Sequence, residues 1–152
     1  MKYDELKWCM KKSRGIKLVE PNGPISQNYL KESTEDFEMI GKSNPKWRTV
    51  TSYYACYNAL YAILMKVGIK SEIHECTIAL MELFGFKRAE IDFIEFLKRK
   101  RLNVQYYLKP PDREVNTRKV LEFITKCREI HADMSQAKID AIRTKLKEVG
   151  KG

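Results

Sequence analysis

Histidine is scarce in this chain, with only His74 and His131 among 152 residues, so any imidazole chemistry at neutral pH rests on one of two side chains. Glycine (7) and proline (5) are few, which argues against disorder, and no glycine-rich phosphate loop is present. The four cysteines, Cys9, Cys56, Cys76 and Cys127, never form a C-x-x-C pair, so neither a zinc knuckle nor a redox motif is spelled out. They read as reduced thiols serving as small apolar residues. No metal set or cofactor signature is present, and none is expected. No uninterrupted apolar run is long enough to span a bilayer. The opening stretch MKYDELKWCMKKSRG mixes acids and bases where a secretion signal needs an apolar core, so the expected location is the cytoplasm. Alternation with period two and internal repeats are also missing, which argues against sheets and solenoids.

What remains is a helical composition. Hydrophobic residues make up 43% and charged residues 32%, the balance of a folded helical chain. A single domain over 1–152 is expected, with a core of about 24–149 and residues 1–23 as an N-terminal extension. The net charge of +9 is unevenly distributed: residues 87–119 carry ten basic and five acidic side chains, centred on the run Lys98, Arg99, Lys100 and Arg101. That run is a candidate nucleic-acid contact, with Lys70 as a further basic residue; the competing reading is a solvated helix end.

The best-specified element begins at SNPKW. Asn44 suits an N-cap, Pro45 the first helical position and Gly68 a left-handed stop, which predicts a helix over 45–67. Apolar residues at steps of three and four cover most of its sides, so it is the expected centre of a bundle. A stripe of small residues, Ser52, Ala55, Ala59 and Ala62, would let another backbone approach closely, and Asn58 needs partners if buried. Together with the surplus tyrosines, including Tyr53 and Tyr54, this stripe is expected to serve core or dimer packing. Ser71 is expected to cap a next helix ending at Gly85, with His74 partly buried near its start. Other helices are expected over 26–40, 89–100 and 113–149, with a break at Pro110-Pro111, Ser135 as a candidate cap for a separate last helix and a short amphipathic helix in the first 14 residues. The fold class is therefore all-α, an up-and-down bundle of four to five helices with short extra terminal helices.

The run Arg48 to His74, RTVTSYYACYNALYAILMKVGIKSEIH, resembles the HEPN superfamily, in the branch associated with small nucleotidyltransferases. Ser52, Tyr53, Tyr54, Ala55, Tyr57, Asn58, Ala59, Ala62, Gly68 and His74 match, and RLNVQY, Arg101 to Tyr106, is similar to the family's Arg-x-x-x-x-Tyr segment. The resemblance covers about residues 24–131. It implies a homodimer, association with RNA or a nucleotide, and a nucleotidyltransferase-type partner in a toxin-antitoxin pair. Active members are metal-independent endoribonucleases whose arginine holds the phosphate while a histidine, with four to six residues between the two, moves protons. No arginine stands at that spacing ahead of His74, so the catalytic candidates are His74 with a displaced arginine: Arg48 first, or Arg101, either brought to a His74 by a dimer. Two functions follow from the resemblance, a dimeric module that binds RNA, a nucleotide or a partner protein, and an endoribonuclease toxin; a third, from another class, is a helical protein-interaction adaptor whose basic face meets an acidic protein.

Overall fold

The long central helix forms where its sequence signals place it. In the computed structural model, which describes residues 3–109 and 115–151, it is the fourth of ten elements: α1 Tyr3–Lys11, β1 Lys17–Leu18, α2 Gly23–Ile40, α3 Pro45–Val67, β2 Ile69–Lys70, α4 His74–Ala79, α5 Met81–Phe84, α6 Arg88–Gln105, α7 Thr117–Asp133 and α8 Gln136–Lys151. The Asn44 side chain accepts from the Trp47 N–H at 3.0 Å, and Gly68 stops α3 at φ 89°. That positive φ, with Val19 and Arg143 crowding the place of a Cβ, admits only glycine there. Fourteen of the 23 residues of α3 are buried, as a helix at the middle of a bundle requires. The architecture is all-α, and β1 and β2 add only a two-residue antiparallel pair, with Leu18 opposite Ile69.

The small-residue stripe of α3 receives α2. Ser52, Ala55, Ala59 and Ala62 are fully buried, and α2 lies close enough for its hydroxyls to reach α3 carbonyls. Ser33 Oγ donates to the Ala55 carbonyl and Ser26 Oγ to the Ala62 carbonyl, each at 2.6 Å. Asn58 Nδ2 on α3 donates to Asp36 on α2 at 2.8 Å. Of the two uses expected for this stripe, core or dimer packing, the structure shows packing within one chain. The other faces of α3 take α6 and α7, while α1 and α8 pack together across one end, burying Leu6, Ile139, Ile142, Leu146 and Val149.

Several expectations are corrected. Helix α2 starts at Gly23, three residues early, because Asn22 caps it by accepting from the Ile25 N–H. Ser71 caps nothing: α4 begins at His74 without a side-chain cap, and Leu80 separates it from α5. Ser71 is instead buried in a hydroxyl chain. Thr77 Oγ1 donates to Ser71 Oγ (2.9 Å), which donates to the Ile73 carbonyl (3.2 Å), and the Ser71 N–H reaches Tyr61 Oη (3.0 Å). Helix α6 continues five residues beyond Lys100, since Ile94, Leu97, Arg101 and Val104 form one inward stripe. Cys9 and Cys76 are not free thiols. They form a disulfide between α1 and α4 with a Cα separation of 5.7 Å, whereas Cys56 and Cys127 are free and buried. The expected terminal elements are present: α1 buries Leu6 and Cys9, and Ser135 Oγ accepts from the Lys138 N–H at the start of α8. The expected break at Pro110-Pro111 lies outside the described residues. Among the described residues, no helix is long and apolar enough to cross a membrane.

Candidate functional site

Three elements converge on His74. Helix α3 supplies Tyr53, Tyr54 and Tyr57 from neighbouring turns, α4 supplies the histidine as its first residue, and α6 supplies Lys98 and Arg101. His74 Nδ1 shares a hydrogen bond of 2.7 Å with Tyr53 Oη, and its ring stacks on Tyr57 with centroids 4.2 Å apart. Tyr54 meets the same ring edge-on. The Arg101 guanidinium lies 5.0 Å from the Tyr53 ring centroid, 5.4 Å from that of Tyr54 and 5.7 Å from that of Tyr106. Its Nη1 donates to Tyr54 Oη at 2.9 Å and more weakly to Gln105 at 3.4 Å.

Arg101 is only 7% exposed, and among the described residues no carboxylate pairs with it. Its buried Nε has no hydrogen-bond partner. Removing a guanidinium from water without a counter-ion is costly, and three aromatic faces return only part of that cost. The arrangement therefore favours an anion beside Arg101. Lys98, held to Glu75 at 3.3 Å, adds a second cation to the same cluster. Burial, then Arg101, then Lys98 all disfavour the imidazolium, lowering the His74 pKa from 6.5 to about 4. At neutral pH the ring is an uncharged donor and acceptor. Tyr53 and Tyr57 are pushed above the ordinary phenol range, chiefly by burial, and remain protonated.

Apart from Tyr53, Tyr54 and Lys98, the other expected site residues lie elsewhere. Arg48 turns its Nε to the Ser43 carbonyl at 2.8 Å, and the charges acting on His74 come from Arg101 and Lys98. Arg99 and Lys100 occupy the outer side of α6, with Lys100 over the Phe96 ring. Lys70 is exposed on β2 opposite Lys17. Ser52, Tyr53, Ala55, Ala59 and Ala62 are core residues, while Tyr54 and Asn58 are partly buried.

The second histidine has a different environment. Ser26 Oγ has one proton, and the 2.6 Å bond to the Ala62 carbonyl uses it. His131 Nε2, 2.7 Å from that oxygen, must therefore be the donor. A serine whose proton is engaged, facing an imidazole that donates, is not a nucleophile with its base. The pair locks α2 to α7, and Lys66 caps the arrangement by donating to the His131 carbonyl.

Sequence reading placed Arg101 in a surface run and missed its burial. The signal was present in the steps Ile94, Leu97, Arg101 and Val104, which put the arginine on the apolar stripe once the helix is extended past Lys100. Among the described residues no group of three or more His, Cys, Asp or Glu side chains could hold a metal ion. No protein-family model matches the chain, and no curated protein matches it in sequence.

Proposed function

We propose that this protein is a HEPN-like helical module that binds a phosphate of RNA or of a nucleotide at the Arg101–His74 cluster. The observation that supports this reading is the buried guanidinium of Arg101, which no carboxylate among the described residues pairs with, beside a neutral histidine. A phosphate would accept from guanidinium N–H groups of Arg101 that its bonds to Tyr54 and Gln105 leave free, with His74 and Lys98 at its side. Cytoplasmic location, a homodimer and a nucleotidyltransferase-type partner belong to the same reading. Any self-association uses a surface other than the small-residue stripe, which α2 already covers.

The runner-up is a metal-independent endoribonuclease, favoured by the placement of a fixed cation next to an imidazole. In that reaction neutral His74 would take the ribose 2′-hydroxyl proton while Arg101 holds the phosphate. Binding is the better-supported reading, because burial and the two nearby cations make His74 a weak base for the ribose proton.

Fluorescence anisotropy with a labelled single-stranded RNA tests the first reading. Arg101→Gln is expected to weaken binding at least tenfold with helical circular dichroism retained, and equal affinity would refute the assignment. RNA cleavage that survives EDTA and disappears in His74→Ala would make the runner-up correct.

A further inference from the structure

We infer that the Cys9–Cys76 disulfide is a reductively releasable tether that positions His74, so that opening it frees the start of α4 from the tyrosine platform. Its bearing on function rests on the phosphate-site reading above. Cys76 follows His74 by two residues in a helix of only six, whose N-cap, Ile73, contributes no side-chain bond. Little in α4 itself fixes the orientation of its first residue. The segment is held from two sides. Toward α3 runs the hydroxyl chain, in which Tyr57 Oη meets Thr77 Oγ1 at 2.9 Å; because Thr77 donates onward to Ser71, Tyr57 is the donor. Toward the N-terminal segment stand the disulfide, the Glu72 N–H bond to the Arg14 carbonyl at 3.0 Å and the exposed Arg14–Glu72 ion pair. The covalent link is the one contact on that side that thermal fraying cannot break.

Both half-cystines are almost fully buried, 1% exposed at Cys9 and 0% at Cys76, so a reductant reaches them only when α1 lifts. Helix α1 has nine residues and packs at the periphery on α4 and α8, where local opening costs least. The step is thiol–disulfide exchange with a dithiol reductant. One reductant thiolate attacks a protein sulfur and displaces the other, which takes a proton. The reductant's second thiol then closes its own disulfide, releasing the remaining protein sulfur as a thiol. Two electrons pass to the protein and two S–H bonds form. A reducing cytoplasm supplies such dithiols, and an oxidising compartment keeps the bridge closed.

The imidazole reports the outcome directly. It faces Tyr53, Tyr54 and Tyr57 of α3 and the cations Arg101 and Lys98 of α6, with Glu75 of its own helix engaged by Lys98. Release of α4 rehydrates the ring and moves it from both cations. The test is NMR titration of the histidine ring protons in the full-length protein, oxidised and after dithiothreitol, with His74→Gln assigning the two signals. Mass spectrometry after alkylation under denaturing conditions counts the thiols, and circular dichroism follows the fold. Cys9→Ala/Cys76→Ala serves as the permanently open form. In the oxidised protein His74 is expected to titrate near 4, and in the reduced and double-variant proteins to move toward 6.5, with His131 unchanged and helicity retained. A His74 titration that does not depend on redox state overturns the inference. So does cooperative loss of the whole fold on reduction, which would make the bridge a global staple, and so do four alkylatable thiols in protein treated with oxidised glutathione. None of these readouts involves RNA, so failure of the tether and failure of phosphate binding are separately visible.

Discussion

The two histidines are both poor bases, for different local reasons. His74 loses proton affinity to burial and to two cations on α6; His131 loses it to burial, then to Lys66 and Arg128. Each is neutral in the folded protein at a pH where the unfolded chain already binds a proton. The sign follows from linkage: the unfolded state takes up more protons between pH 6.5 and the lowered native values, so stability falls as pH drops through that window and is unaffected by these groups above it. Melting temperature is expected to decline from pH 7 to pH 5, and the decline to be shallower in His74→Gln. Identical pH profiles would show that His74 is accessible and unperturbed. The Ser26–His131 contact makes a second prediction. Ser26→Ala leaves a buried imidazole N–H without an acceptor, a loss of about 1–3 kcal/mol in urea unfolding. Ser33→Ala removes a hydroxyl and strands no donor, so it should cost about 1 kcal/mol, less than Ser26→Ala.

At the scale of elements, the pairing of α2 with α3 decides what the alanine-rich stripe is for. Small residues on α3 and serines on α2 bring two backbones close, and the approach is what allows hydroxyl-to-carbonyl bonds of 2.6 Å. A larger side chain in that seam separates the helices. Ala59→Leu is expected to destabilise by about 1–3 kcal/mol or more, measured by chemical denaturation, because the fully buried site has no room for three extra carbons. Were the stripe an exposed face, the same change would be nearly neutral. Helix α6 illustrates the related lesson that one helix presents two chemistries. Its inner stripe delivers Arg101 to the tyrosines, and its outer side carries Arg99 and Lys100, so the four consecutive basic residues do not act as one patch.

Across the whole molecule, the +9 charge offers long-range attraction for a polyanion, and the cluster around Arg101 offers a place for one phosphate. These contributions separate experimentally. Arg99→Ala/Lys100→Ala is expected to reduce the slope of log affinity for RNA against log salt concentration by about one to two while leaving helicity intact. Replacing all four of Lys98 to Arg101 would also remove the buried arginine and confound charge with packing. The sequence by itself determined the all-α class, the limits of α3 and the capped α8, because these depend on local chemistry: Asn44 and Pro45 at a start, Gly68 at a stop, Ser135 at a cap, and apolar steps of three and four. It also singled out His74, since imidazoles are so few. Only the tertiary structure decided which arginine stands beside that histidine, which helix covers the small-residue stripe and which cysteines pair. Arg101 is 27 residues from His74, and Cys9 is 67 residues from Cys76. Contacts over such separations depend on how helices pack around α3, and residue spacing along one helix carries no record of that packing.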